Sequence, residues 1–290
     1  MAGLVWEDRP RLRRPVMVAG FEGWNDAGDA ASDAATWIVR NFDASCFAWI
    51  DPEEHFDFQS NRPRVELTDG VTRTITWPEN RFHAVRTDSG DHDLVVLRGV
   101  EPNLRWQSFC ASVLDVARST GCELVVTLGA LLADVPHTRP VRITGSATDP
   151  DLIERLHLQA SRYEGPTGIV GVLHDECRRA GLASVSLWAP VPHYVASPPN
   201  PPATRELLAR LADLTRFSVR LDTLDATAVA WREQVSEAVA GDDDVRAYVS
   251  QLERQSDEAE AEPELELRSG ESIAAELERY LREREQRGET

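Results

Sequence analysis

The stretch Pro15-Val16-Met17-Val18-Ala19-Gly20 is the clearest indication of the fold class, because it has the composition of a short buried strand that ends at a glycine. A helix is predicted directly after it, over about residues 25–39. The face of this helix carries small residues, namely Ala27, Ala30, Ala31 and Ala34, together with Ile38. A face this small suits close packing against a sheet, so the stretch predicts a β-α unit.

The alternation of strand-like and helix-like segments continues over the first two thirds of the chain. Further strands are predicted at 46–50, 82–86, 93–99, 123–129 and 184–188, with a hairpin around Asp69-Gly70. Helices are predicted at 104–119, with Asn103 as N-cap and Gly121 as stop, at 150–163, and at 168–180 with Thr167 as N-cap. The order predicts a three-layer α/β/α fold with a mostly parallel central sheet.

A change in composition marks a predicted domain boundary near residue 200. Six of the seventeen prolines lie between residues 190 and 202, which predicts an extended, stiff connector. Amphipathic helices are predicted around 207–214, 245–252 and 273–281, and residues 231–290 hold 18 acids against 8 arginines. We therefore predict an α/β/α core over residues 1–200 and an acidic, all-helical segment over residues 201–290.

The charge of the chain excludes several classes of function. Its 290 residues carry 49 acids and 31 basic residues, for a formal net charge of −18, so a nucleic-acid backbone would be repelled and no nucleic-acid partner is expected. All the basic residues are arginine. The absence of lysine excludes a Schiff-base lysine, a P-loop lysine and a lysine general base.

The cellular setting is predicted from the cysteines and the apolar runs. Cys46, Cys110, Cys122 and Cys177 form no CxxC pair, so buried, reduced thiols are favoured over metal or disulfide roles. No signal peptide is recognised, and the longest apolar run is far shorter than the roughly 20 residues of a membrane span. We expect a cytoplasmic protein with no membrane span, no bound metal and no cofactor.

Polar residues at the predicted carboxyl ends of the strands are the candidates for a site, because ligands bind there in open α/β sheets. Glu22, Asn25 and Asp26 follow the first strand in a glycine-rich turn. Helix capping is the favoured role for Asp26 and for Asp29. Glu22 and Asn25 stay open as groups that bind or polarise a substrate.

Three later stretches supply the remaining candidates. His137 is a candidate acid–base group and Arg139 a candidate anion clamp, although a surface salt bridge explains this pair about as well. Glu164 and His193 are candidates for lining the same site. The catalytic candidates are therefore His137 and Glu22, and the full set of ligand-binding candidates is Glu22, Asn25, Asp26, His137, Arg139, Glu164 and His193.

Four stretches taken together resemble the PAC2 family, in what looks like its actinobacterial branch. They are residues 21–28 (Phe-Glu-Gly-Trp-Asn-Asp-Ala-Gly), 136–140 (Pro-His-Thr-Arg-Pro), 163–169 (Tyr-Glu-Gly-Pro-Thr-Gly-Ile) and 191–195 (Val-Pro-His-Tyr-Val). The resemblance covers roughly residues 14–217. It implies an α/β/α core related to phosphorylase-like and hydrolase-like folds, a homotrimer, and kinship with chaperones that hold proteasome α-subunits.

Two functions follow from these observations. The first is a non-enzymatic scaffold that binds another protein, with a proteasome component as the partner that the resemblance implies. The alternative is a binding protein for a nucleoside-like or nucleotide-like molecule, or a hydrolase-like or phosphorylase-like enzyme, that uses the pocket at the strand ends. We favour the first, because no complete catalytic set is recognisable.

Overall fold

The computed structural model describes residues 3–68, 70, 72–87, 91–148, 159–160 and 164–261. The strands are β1 (Leu4–Trp6), β2 (Val16–Glu22), β3 (Ala44–Ile50), β4 (Arg64–Thr68), β5 (Thr72–Thr76), β6 (Asn80–Val85), β7 (Leu94–Val100), β8 (Leu124–Ala133), β9 (Thr144–Ala147), β10 (Gln159–Ala160) and β11 (Ser184–Pro192). The helices are α1 (Ala30–Asn41), α2 (Trp106–Thr120), α3 (Ile169–Arg179), α4 (Pro201–Thr215), α5 (Asp222–Ala240) and α6 (Asp243–Ala261). Short 3-10 turns cover Ala27–Asp29, Pro52–Glu54 and His193–Val195.

Nine of these strands form one mixed sheet in the order β1-β3-β6-β7-β2-β8-β11-β9-β10, and β4 pairs with β5 in a separate hairpin. The four central strands β7, β2, β8 and β11 are parallel to one another. The flanking pairs β1-β3, β3-β6, β6-β7 and β11-β9 are antiparallel. The carboxyl ends of the four parallel strands therefore lie side by side at the same end of the sheet, which we call its carboxyl edge.

Helices cover both faces of the sheet, which confirms the predicted α/β/α layers. On one face α1 and α4 pack on β2, β8 and β11 through residues such as Ala34, Leu207 and Leu211. On the other face α2 and α3 pack through Phe109, Val113 and Leu173. Two hydrophobic cores result, one on each side of the sheet.

The small face of α1 is explained by its approach to β2. A Cβ atom added to Gly20 would lie 2.6 Å from the backbone oxygen of Ala31 and 3.0 Å from the Cβ of Ala35. The backbones therefore come so close that glycine is required on the strand and alanine on the helix. This contact confirms the packing that the sequence predicts for the first β-α unit.

Two predicted helix starts are wrong in detail. Asn103 does not cap α2, which begins at Trp106 behind a left-handed Arg105, and the Asn103 side chain instead accepts a hydrogen bond from the Asp57 backbone. The N-cap of α3 is Gly168, not Thr167, since Glu101 accepts from the first backbone N–H of the helix. Gly121, in the left-handed conformation at φ 75°, ends α2 as predicted.

The helix predicted over 150–163 is wrong at Gln159 and Ala160, which form β10 in parallel pairing with β9. The rest of that prediction lies outside the described residues. The proline-rich connector is shorter than predicted, because Pro190 and Pro192 belong to β11 and Pro201 begins α4. Both prolines of β11 lie beyond the part of the strand that pairs with β9, where a missing N–H is tolerated. Pro201 lies in the first turn of a helix, a position that also suits proline.

The helices after residue 200 differ in how they contact the core. In α4 the side chains of Leu207, Leu208 and Leu211 are buried against the sheet. Only Ala228 and Val235 of α5 are buried, and Val249 and Leu252 of α6. The division into two domains at residue 200 stays a prediction, but α4 is part of the α/β/α core. The helix predicted around 273–281 lies outside the part of the chain that the structure describes.

The cysteines match the predicted thiol environment. All four are free; Cys110, Cys122 and Cys177 are buried and Cys46 is half-buried. Burial raises the pKa of Cys110 and Cys177 to about 12 and that of Cys122 to about 11, so these thiols stay protonated. Among the described residues, no helix is long and apolar enough to cross a membrane.

Candidate functional site

A groove of about 850 Å³ lies at the carboxyl edge of the parallel strands. We call it the strand-end groove. Its walls are the turn after β2, the end of β8, the start of α3 and the side chains of β9 and β11. The residues that line it include Gly23–Asp29, Ala130, Leu131, Leu132, Thr144, Ser146, Pro166, Thr167, Gly171, His174, Ser186, Trp188, Ala196 and Pro198.

Three large apolar side chains of the groove are exposed to solvent. Trp24 is 65% exposed, Leu131 43% and Leu132 50%. Trp188 packs flat against Gly129, where an added Cβ would lie 2.7 Å from the indole ring. Its indole N–H donates to the Ser186 hydroxyl at 2.9 Å. The groove therefore presents apolar surface, while its tryptophan on β11 is held by the protein itself.

The turn after β2 is built by Asp26, as the capping interpretation predicts. This buried carboxylate accepts hydrogen bonds from the backbone N–H groups of Ala31 at 2.7 Å and Ser32 at 3.2 Å, and from the Ser32 hydroxyl. Burial nevertheless raises the pKa of Asp26 to about 6. Asp29 makes no such cap and has a left-handed backbone at φ 54°. Of these two acids, it is Asp26 whose side chain holds the start of α1.

Asn25 is buried and joins the same turn to two other elements. Its side-chain N–H donates to Oε1 of Glu101 at 3.0 Å, and its backbone oxygen accepts from Ala130 on β8 at 2.8 Å. Glu101 also accepts from the backbone N–H groups of Trp24 at 3.2 Å and Ile169 at 2.8 Å. Glu101 thus ties the β2 turn to the first turn of α3.

Sequence reasoning missed Glu101, although a signal was present. Glu101 directly follows the strand β7, whose carboxyl end lies beside that of β2. The rule that selected Glu22 and Asn25 would also have selected this acid. Trp24, Leu131 and Leu132 were missed for another reason, because apolar residues were not considered as candidates for a site.

A second group of candidate residues lies outside the strand-end groove, beneath the helices α5 and α6. It consists of His137, Arg139 and His193. The backbone N–H of His137 donates to the Tyr194 hydroxyl at 2.8 Å. Nδ1 of His137 lies 2.8 Å from the same hydroxyl, and Nε2 lies 3.0 Å from the Ser236 hydroxyl on α5. Burial lowers the pKa of His137, because it disfavours the charged form of the ring.

Arg139 holds α6 to the core. Its guanidinium donates to both carboxylate oxygens of Asp257, at 2.7 and 2.8 Å, and lies 3.5 Å from Glu253. This pairing is a salt bridge of the kind that the sequence leaves open for this position. Exposed His193 pairs with Asp134 at 3.0 Å and contacts the ring of Tyr248 on α6.

The structure therefore divides the seven candidate residues. Asn25 and Asp26 line the strand-end groove, whereas His137 and Arg139 line a separate small cavity of about 60 Å³. The other three, Glu22, Glu164 and His193, are exposed and line neither cavity. No group of three His, Cys, Asp or Glu side chains that could hold a metal ion occurs in the part of the chain that is described. The ligand-binding roles stay predictions.

Fold and site define a class of protein: an α/β/α protein with an apolar groove at the carboxyl edge of its parallel strands and a pair of acidic helices beside it. The family model described as "PAC2 family" matches residues 20–239. The chain belongs to the PAC2 family. Comparison with curated proteins gives no match.

The solved structures that are similar to the chain include the following three. A PAC2 family protein from Streptomyces avermitilis shares 51% identity with a TM-score of 0.76, over 81% of this chain and 99% of that one. A proteasome-assembly chaperone homologue from Mycobacterium tuberculosis shares 47% identity with a TM-score of 0.75, over 81% and 99%. A protein of unknown function from Corynebacterium glutamicum shares 26% identity with a TM-score of 0.81, over 89% and 98%.

Proposed function

We propose that this protein is a non-enzymatic scaffold that binds a protein partner in its strand-end groove. The observation that carries the proposal is the exposure of Trp24, Leu131 and Leu132 around a groove of about 850 Å³. Apolar side chains that are both exposed and grouped at a groove mark interaction sites on soluble proteins. A tryptophan at the rim is a typical anchor for a partner.

The contacts of the polar candidate residues Asn25, Asp26 and His137 support binding rather than catalysis. The Asp26 carboxylate accepts hydrogen bonds from the backbone of α1, and the Asn25 amide donates a hydrogen bond to Glu101. His137 is bonded at both ring nitrogens to groups of the protein. A general acid or base needs to reach a substrate proton, and these side chains are instead used to hold the structure.

The class of partner is proposed from the family and its relatives. The Mycobacterium tuberculosis relative, at 47% identity over 81% of the chain, is described as a proteasome-assembly chaperone homologue. This description favours a proteasome α-subunit as the partner, as the resemblance implies. Such a partner would place the protein in the cytoplasm, in agreement with the predicted location.

Biolayer interferometry with purified proteasome α-subunits of Mycobacterium tuberculosis tests the proposal. We expect the wild-type protein to bind, and Trp24→Ala and Leu131→Asp each to raise the dissociation constant at least about tenfold, which is roughly 1.4 kcal/mol. Val5→Asp is the matched control, since Val5 is an exposed apolar residue on β1 at the opposite border of the sheet. Binding that the groove variants leave unchanged would contradict the proposal, as would the absence of binding.

A small molecule in the groove is the second candidate, and the size of the groove favours it. Ligand sites typically enclose about 300–1,000 Å³, and the strand-end groove falls within that range. A thermal-shift screen against nucleosides, nucleotides and phosphate tests it. A ligand at a hundred times its dissociation constant should add about 2.7 kcal/mol of stability. A shift that disappears in His174→Ala would support this second function.

A further inference from the structure

The β4–β5 hairpin stands apart from the rest of the fold. Arg64–Thr68 pairs with Thr72–Thr76 in antiparallel register, and the hairpin joins no other strand of the described chain. A two-stranded hairpin with two open borders is only marginally stable by itself and offers free backbone groups to a neighbour.

One face of the hairpin is apolar and exposed. Alternation along the strands places Val65, Leu67 and Ile75 on the same face, since Val65 lies opposite Ile75 in the register. They are 59%, 62% and 57% exposed. Trp77, two residues beyond Ile75, is 44% exposed and contacts Phe58 with ring centroids 4.8 Å apart. The opposite face carries Arg64, Glu66, Thr74 and Thr76. We call the first set the hairpin face.

The charge of the hairpin face is opposite to that of the chain. Arg73 lies opposite Leu67 and is therefore on this face. Residues 62–77 hold three arginines and two acids, a net charge of +1, in a chain of −18. An apolar surface with an arginine fits a surface that is apolar and acidic, and it disfavours a second hairpin with the same arginine.

The chain itself carries such a surface on α5. Ala226, Val229, Ala230, Glu233 and Glu237 are exposed and follow one another at helical spacing. Val229 is 51% exposed, while the other side of the helix buries Ala228 and Val235. Residues 222–261 hold eleven acids and three arginines, a net charge of −8. We call this set the α5 stripe.

We propose that the hairpin face of one protein molecule docks on the α5 stripe of a second copy. Val65, Leu67, Ile75 and Trp77 would cover Ala226, Val229 and Ala230, and Arg73 would lie against Glu233 and Glu237. Because the two surfaces differ, the contact is heterologous and repeats from one copy to the next, and it forms a closed ring only if the rotation between neighbouring copies closes. The inference is independent of the partner proposed for the strand-end groove.

Two single variants and their mixture test the docking by sedimentation equilibrium and light scattering. Ile75→Asp removes the hairpin face and Val229→Asp removes the α5 stripe. We expect the wild type to form an oligomer, and each variant to be a monomer of 32.3 kDa. A mixture of the two variants keeps one intact pair of surfaces, the hairpin face of Val229→Asp and the α5 stripe of Ile75→Asp. The mixture should therefore form a one-to-one dimer.

Matched controls separate docking from folding. Thr74→Asp lies on the polar face of the same hairpin, and Thr227→Asp lies about 100° around α5 from Ala226. Both controls should keep the mass and the Tm of the wild type, and all four variants should keep its far-UV circular dichroism spectrum because the positions are exposed.

Several outcomes would overturn the proposal. One is a wild type that is monomeric at every concentration, and another is an oligomer that both variants preserve. If Ile75→Asp is monomeric while Val229→Asp keeps its oligomer, the hairpins contact each other or another surface. If both variants are monomeric and their mixture stays monomeric, the two surfaces do not bind each other. A change in proteasome binding with unchanged mass would concern the groove alone.

Discussion

Oε1 of Glu101 lies 3.0 Å from the side-chain nitrogen of Asn25 and accepts its hydrogen bond. The same oxygen accepts from the backbone N–H of Ile169 at 2.8 Å. A carboxylate at the first turn of a helix is favoured by the helix dipole, and here it also fixes the neighbouring turn. This one side chain therefore sets the position of Trp24 relative to α3. Trp24 and α3 lie on the two sides of the strand-end groove.

Replacing Glu101 should loosen the groove. Glu101→Ala leaves three donors without an acceptor, and we expect a loss of about 2–4 kcal/mol of unfolding free energy. Glu101→Gln keeps an acceptor oxygen and should cost about 1 kcal/mol, chiefly from the lost charge. Urea unfolding measures both. Hydrogen exchange should show faster exchange at residues 23–26 and 169–171 in the alanine variant. Equal losses of stability in the two variants would contradict the role of the acceptor oxygen.

Gly168 should tolerate no side chain. An added Cβ would lie 1.9 Å from the side-chain nitrogen of Asn25 and 2.5 Å from Oε1 of Glu101. Gly168→Ala must therefore displace the Asn25–Glu101 pair, at a cost of about 2 kcal/mol or more. Gly241→Ala is the control, because the nearest atom to its added Cβ is 3.4 Å away. Denaturant midpoints compare the two; similar effects at both positions would show that the clash is relieved elsewhere.

The salt bridge between Arg139 and Asp257 should hold α6 with modest strength. Both side chains are partly exposed, so Arg139→Met should weaken the attachment by about 0.5–1 kcal/mol and leave the core intact. Hydrogen exchange along α6 should be a few fold faster in Arg139→Met than in the wild type. In the wild type itself, added salt should also speed up this exchange, because salt screens the ion pair. Arg246→Met is the control, because its ion pair with Asp243 stays within α6. Equal effects of the two variants would contradict a bridging role.

Asp26 should make stability depend on pH. The pKa of Asp26 in the folded protein is about 6, above its ordinary value of 3.8, so the folded state holds the proton more tightly than the unfolded state. The resulting stability is present in full below about pH 4 and is lost as the pH rises through 6. The difference in pKa corresponds to roughly 3 kcal/mol at most.

Asp26→Asn isolates this contribution, because its amide oxygen can still accept from the backbone of Ala31 and Ser32. Urea unfolding at each pH gives the unfolding free energy of the wild type and of Asp26→Asn. We expect the wild-type value minus the variant value to fall between pH 4 and pH 7. If the two plots of unfolding free energy against pH stay parallel over this range, the carboxyl group of Asp26 is ionised throughout it in the folded protein.

The sequence predicted the layers of the fold because their signals are local. The β2–α1 unit is an example, where small residues on both elements report their close approach. Helix starts were less predictable, since capping depends on distant residues. Thr167 has the composition of an N-cap, but Glu101 reaches the helix from 68 positions away in the chain. Gln159 and Ala160 form a strand through pairing with β9, which no local pattern indicates.

The candidate site shows the same division. Asn25 and Asp26, which the rule of strand carboxyl ends selects as candidates, line the strand-end groove. The rule could not separate them from His137 and Arg139, because α5 and α6 cover those residues and lie about a hundred positions later. The polar candidates were chosen for their chemistry, whereas the groove is distinguished by the exposure of Trp24 and Leu131. Exposure depends on the whole fold and is not read from one sequence.

Photo-crosslinking tests the central claim most directly. A photoreactive phenylalanine analogue placed at position 24 is irradiated with purified proteasome α-subunits, with position 5 as the matched control site. The account predicts a specific crosslink from position 24 to an α-subunit peptide and none from position 5. A crosslink from position 5 alone, or no crosslink from position 24 in a mixture that forms a complex, would contradict binding at the strand-end groove.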